Sequence, residues 1–166
     1  MDCIIRRAEQ RDADAIAMLY RTALGYAEMT GEAVSARMTQ MAARGGYINY
    51  VAEVNGAVAG MISTRRSLAL EVNGEYMAVI GLMVSDEFRG MGLGRALLMR
   101  AESDARMDGI TFFKLSSGMT RTGAHAFYEK LGYQKNGFRF TKGQKKLTAA
   151  ESAHSKEDIN VSKVRH

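Results

Sequence analysis

The sequence lacks several features that would place it in common protein classes. It has one cysteine, Cys3, so an intramolecular disulfide is impossible and a cysteine zinc site is excluded. Its three histidines, His125, His154 and His166, do not show metal-ligand spacing, and no metal is expected. No apolar run approaches the ~20 residues a bilayer span requires. The start, MDCIIRRAEQRDAD, becomes charged too early to contain a signal peptide's apolar segment, so a cytoplasmic protein without membrane contact is expected. An excess of charge of one sign is scarce outside the C-terminus. Of the net +5, residues 142–166 supply +3, leaving only +2 for everything before them. A body so nearly neutral suits a polyphosphate groove poorly, and no nucleic-acid partner is expected.

What is present is an ordinary globular balance, 46% apolar and 25% charged over 166 residues, enough for one domain with a buried core. CIIRRA at 3–8 predicts a short strand, and Cys3 within it is expected to be a small buried residue without a role. Asp12 reads as the N-cap of a helix carrying Ile16, Leu19, Tyr20, Ala23 and Leu24 at helical spacing. A second helix is predicted over 32–43. Asn55-Gly56 and Asn73-Gly74 then separate apolar runs, predicting three antiparallel strands over 47–84. Leu93, Ala96, Leu97, Ala101 and Ala105 form the apolar stripe of a third helix, with Glu102 and Arg106 four apart on its wet side. GITFFKLSS reads as a buried strand, Ala124, Phe127, Tyr128 and Leu131 as a fourth helix ending near Gly132, and YQKNGFRFTK as a closing strand. The predicted domain covers 1–142, followed by a polar, basic C-terminal tail, 143–166. This order describes a mixed α/β layer rather than a doubly wound sheet.

The stretch VSDEFRGMGLGRALLMRAE places Gly90, Gly92 and Gly94 where a helix begins. Missing side chains there let an anion approach unpaired N–H groups at the positive end of the helix dipole. A Walker loop would need Lys and Ser/Thr after its last glycine, but Arg95 and Ala96 follow Gly94. The dinucleotide fingerprint opens a βαβ unit, and here an antiparallel meander precedes the loop.

Arg89, Gly92 and Gly94 do meet the pattern R/QxxGxG/A. With AHAFYEKLGY at 124–133 and the opening IIRRAEQRDADAIAMLY, the chain resembles the GNAT acetyltransferase superfamily over roughly residues 3–142. The resemblance implies a central, mostly antiparallel twisted sheet of six or seven strands flanked by about four helices. It implies acetyl-CoA as cosubstrate and direct transfer of an acetyl group to an amine of a small molecule or a protein. The pyrophosphate would lie on Arg89, Gly90, Met91, Gly92, Leu93, Gly94 and Arg95, with charge-assisted contacts from the two arginines. Pantetheine would pair with backbone at Leu82, Met83 and Val84, an amide near Leu82 polarising the thioester carbonyl. Tyr128 would be the general acid. The family's glutamate on the strand before the loop is missing. Strict alternation puts Tyr76, Ala78, Ile80, Leu82 and Val84 on one face of that strand and Met77, Val79, Gly81 and Met83 on the other. Glu71, Glu75, Glu28 and Glu32 remain open as bases. Arg121 stands where many members have a pantetheine-binding asparagine, with His125 four residues later. A noncatalytic acyl-CoA sensor is the alternative, and pairing into a homodimer is left open.

Overall fold

The structure, a computed structural model, describes residues 2–143. Most of the expected tail, 144–166, lies outside the described residues. Five strands form one sheet in the order β1 (Cys3–Arg7), β2 (Tyr47–Val54), β3 (Ala57–Leu68), β4 (Glu75–Val84) and β5 (Phe113–Leu115). The first three pairings are antiparallel and β4–β5 is parallel. A parallel neighbour needs a crossover, and α3 (Leu93–Met107) provides it. Asn55 and Gly56 turn the β2–β3 hairpin with φ of +49° and +82°, the pair of left-handed residues that a tight two-residue hairpin demands.

Two apolar clusters lie on the two faces of the sheet. On one, α1 (Ala13–Leu24) and α2 (Gly31–Arg44) cover Val51, Met61 and Met83 through Ile16, Leu19 and Val34. On the other, Leu93, Leu97, Leu98, Ala101 and Ala105 of α3 bury Tyr50, Ile62, Met77 and Val79, with Phe127 and Tyr128 of α4 (Thr122–Lys130) packed alongside. The fold class, and the four α-helices among the described residues, agree with expectation.

Several details differ. The sheet has five strands, because residues 133–142 pair with no strand among the described residues and leave Phe138 and Phe140 exposed. The expected buried strand at 109–117 reduces to Phe113–Leu115, with Phe112 exposed. Cys3 is exposed, since β1 is the sheet's edge strand. Asp12 occupies the N-cap position of α1, but its carboxylate turns backwards. It accepts from the Glu9 N–H at 2.8 Å and from both terminal nitrogens of Arg6 at 2.8 Å, while Arg6 also meets Glu53. This buried ion pair holds the Asp12 carboxyl below its ordinary pKa and ties β1 to the start of α1.

Candidate active site

The sheet opens where β4 leaves β5. Their ladder covers only Met77–Val79 against Phe113–Leu115, while β4 runs on to Val84. On its other side β4 carries a bulge: Val79 opposes Thr64 and Gly81 opposes Ser63, so Ile80 is the extra residue. One inserted residue exchanges the faces of everything after it. Met77, Val79, Leu82 and Val84 therefore pack on the α3 side, and Met83 packs on the α1–α2 side. This corrects the unbroken alternation expected from the sequence, in which Met77 and Val79 shared a face with Met83. The Ser85 N–H bonds to Ala59 on β3 at 2.8 Å. Counting back by alternation, Gly81 and Met83 turn their backbone groups to β3, and Leu82 and Val84 turn theirs to the gap.

At the end of β4, the chain passes through a 3₁₀ turn, Asp86–Phe88, into the glycine loop. Gly90 and Gly92 have φ of +77° and +83°, and a Cβ added to either would meet no atom within 4 Å. Their conformation is one that L side chains avoid, and the space before them is open. Gly92 caps α3, whose ladder starts with the Ala96 N–H bonded to the Gly92 carbonyl at 3.0 Å. The amides of Leu93, Gly94 and Arg95 precede that first bond, as in any helix start. Gly94 differs from these two in having neighbours. A Cβ there would make ordinary contact with Phe127 at 3.5 Å and Val84 at 3.7 Å, so Gly94 lies where α3, α4 and the end of β4 meet. Arg89 forms an exposed pair with Asp86 at 2.6 Å, and Arg95 is exposed with its Nε 3.4 Å from the Met99 sulfur. Open left-handed glycines, the first-turn amides and two nearby guanidinium groups fit a pyrophosphate by charge and by space.

Tyr128 stands on the α4 side of this junction. Its ring meets Phe127 and Tyr133 edge-on, at 5.1 and 5.8 Å between centroids. Burial raises the pKa of its phenol and the charge of Arg121 partly opposes that. The hydroxyl bonds to no described residue, and the phenol stays protonated at neutral pH. His125 is 2.9 Å from the Gly118 carbonyl through Nε2, which secures the start of α4. Arg121 is the exposed N-cap residue of that helix.

On the opposite face of the sheet lies a cavity of about 920 Å³ between α1, α2 and their connection, floored by β2 and β3. Arg21 of α1 donates to the Met29 carbonyl at 2.6 Å and pins the connection that forms its lip. Among the four carboxylates considered as bases, Glu28 borders this cavity. Glu71 and Glu75 lie at the hairpin end of β4, opposite the glycine loop, and Glu32 is exposed in the first turn of α2. Tyr20 and Ser63 also line the cavity and were not singled out from the sequence as site residues. Tyr20 lay on an apolar helical stripe and Ser63 inside a strand, so neither carried a local signal.

A model of the family described as "Acetyltransferase (GNAT) family" matches residues 5–133. An aminoalkylphosphonate N-acetyltransferase of Salmonella typhimurium is 39% identical over 88 residues, which are 53% of this chain and 57% of that protein. The chain thus matches little more than half the length of that relative. Among solved structures, a transcriptional regulator from Bacillus halodurans C-125 superposes with a TM-score of 0.78 at 21% identity, covering 86% of this chain and all of that one. The glucosamine-6-phosphate N-acetyltransferase of Arabidopsis thaliana gives 0.75 at 20% identity over 87% of this chain and 100% of its own. These two likenesses concern the fold.

Proposed function

The chain belongs to the GNAT acetyltransferase family, and on that premise we propose that it moves an acetyl group directly from acetyl-CoA to an amine. The observation that carries this reading is the junction of the glycine loop, the unpaired end of β4 and Tyr128, held together through Gly94, Val84 and Phe127. Acetyl-CoA, when bound, supplies an acyl thioester whose thiolate is a tolerable leaving group. Residues Arg89–Arg95 hold the pyrophosphate through backbone amides, the helix dipole and the two arginine side chains. The backbone of Leu82, Met83 and Val84 borders the pantetheine arm, and the N–H of Leu82, turned to the gap, polarises the acyl carbonyl. Tyr128, protonated at neutral pH, holds at its Oη the proton that the departing sulfur takes.

The acceptor enters from the cavity on the α1–α2 side. Its nitrogen forms a bond to the acyl carbon as the carbon–sulfur bond breaks, and the amine then sheds a proton. Glu28, at the cavity border, is the carboxylate placed to take that proton, directly or through water. The relative named for aminoalkylphosphonates makes small amines the first acceptor class to screen. The proposed domain is residues 1–142, with 143–166 as an accessory tail. The protein is proposed to work in the cytoplasm.

Ligand-dependent melting followed by an amine screen tests the reading. At a hundred times the dissociation constant, CoA or acetyl-CoA should add about 2.7 kcal/mol to the unfolding free energy. Amine-dependent thiol release then separates an enzyme from a sensor. No melting shift at millimolar ligand would sink the cofactor site, and a shift without release across the screen would favour the sensor.

A further inference from the structure

Two hydroxyls that make no hydrogen bond among the described residues line the cavity, Ser63 on its floor in β3 and Tyr20 on its α1 wall. Ser63 is 2% exposed, and its Oγ makes no hydrogen bond. Across the ladder it opposes Gly81, the residue after the bulge. A Cβ on Gly81 would lie 3.7 Å from the Tyr20 hydroxyl, and directly opposed Cβ positions in a ladder are about 5 Å apart. Both hydroxyls therefore border one spot above Gly81, beside the β4 backbone that would hold the thioester arm. Among the described residues the Tyr20 hydroxyl also has no hydrogen-bond partner. The Ser63 hydroxyl, buried and unpaired, is uncommon in a folded protein and calls for a ligand group or water.

The remaining wall has a different chemistry. Met29, Met38, Met41, Met61, Ile16 and Val34 line it with thioether and aliphatic surface. Glu28 and Arg37, its two charged lining side chains, are exposed rather than at the floor. Polar groups set against this thioether and aliphatic surface would lose hydration and could regain partners only at Tyr26, Glu28, Arg37 and Asn49 elsewhere in the lining, whereas an apolar body is favoured against it. Flexible methionines also adapt to an irregular apolar shape.

We infer that the acceptor is a primary amine carried on a largely apolar body, and that Ser63 and Tyr20 bind its amino group. The inference rests on the acetyltransferase reading above. A neutral primary amine has two N–H donors and one lone pair. Donation to Ser63 Oγ and Tyr20 Oη leaves the lone pair free for the acyl carbon. Burial raises the pKa of the Tyr20 phenol, so it serves as a neutral hydrogen-bonding group and not as the base.

Phenethylamine and octylamine are the apolar probes, with 2-aminoethylphosphonate and kanamycin as polar comparators. Thiol release is measured at saturating acetyl-CoA, and calorimetry measures binding of each amine to the protein preloaded with CoA. The apolar amines should exceed both polar ones by about tenfold or more in kcat/KM and should bind the CoA complex. Ser63→Ala and Tyr20→Phe should each lower amine kcat/KM by roughly tenfold, with the KM for acetyl-CoA and the CoA-induced melting shift unchanged. Ser63→Ala should fold at least as well as the parent, because it removes an unsatisfied hydroxyl. Faster turnover of the polar amines would overturn the acceptor class and leave the acetyltransferase reading standing. Parental amine kinetics in both variants would overturn the roles of Ser63 and Tyr20. Apolar-amine binding without any thiol release would keep this site and refute the transfer reaction, and neither binding nor release would overturn the inference itself.

Discussion

Gly92→Ala should destabilise the folded chain while Gly94→Ala should not, although the two glycines share one motif. Gly92 sits at φ +83° with nothing within 4 Å of an added Cβ, so its penalty is conformational and not a clash. Holding an L residue in the left-handed region costs about 1–2 kcal/mol. Gly94 lies in the first turn of α3, and its added methyl would meet Phe127 and Val84 at 3.5–3.8 Å, an ordinary contact. Alanine in place of a helical glycine gains about 0.5–1 kcal/mol. In a chain of this size ~1 kcal/mol moves the melting midpoint by about 2–4 °C. Gly92→Ala should therefore melt about 2–8 °C below the parent and Gly94→Ala about 1–4 °C above it. The assay is thermal unfolding followed by circular dichroism, repeated with saturating CoA. The added methyl at Gly92 stands in the open space assigned to the phosphates, so its CoA-induced shift should also be the smallest of the three. A Gly92→Ala midpoint at or above the parent, or an equal fall for Gly94→Ala, would refute this division of labour.

Tyr128→Phe should lower kcat by about tenfold or more while leaving acetyl-CoA binding unchanged, read by steady-state kinetics with calorimetry; a parental kcat would remove the phenol from the chemistry. Asp12→Asn should cost about 3 kcal/mol at neutral pH, since it breaks a buried pair with Arg6. The Asp12 carboxyl is held low in the folded chain, so its stabilisation is present above a pH of about 4 and drains away as pH falls through the lowered value. Urea melts of parent and variant should converge as the pH is taken down through the lowered Asp12 value, and a constant gap would contradict the assignment. Gly60→Ala should lose about 1–3 kcal/mol in the same melts, because its Cβ would stand 2.9 Å from the Met83 carbonyl oxygen; an unchanged midpoint would show that β3 and β4 can separate freely there.

What could be read from the sequence was whatever local geometry demands. Asn55-Gly56 marks a hairpin because both residues must be left-handed, and Gly92 before Leu93 marks a helix start for a related reason. The bulge at Ile80 left no such mark, because β4 is apolar on both faces and slipping one residue changes no visible pattern. Ser63 and Tyr20 are 43 positions apart in number and meet only after β3 pairs with β4 and α1 covers the sheet. Gly94 reads from the sequence as part of an anion loop, and its neighbourhood to Phe127 is a further feature that needs α4 in place. The pattern in YQKNGFRFTK suggested a strand, yet alternation specifies only which faces a strand would present and not that an edge is available to pair with it.

The transfer reaction itself is tested most directly by mass spectrometry of amines incubated with the protein and acetyl-CoA carrying an isotopically labelled acetyl group. The account predicts that label appears on the amine nitrogen in step with free CoA thiol, at a rate that Tyr128→Phe reduces. Labelled acetyl-CoA that binds but passes its label to no amine, small or protein-borne, would contradict it.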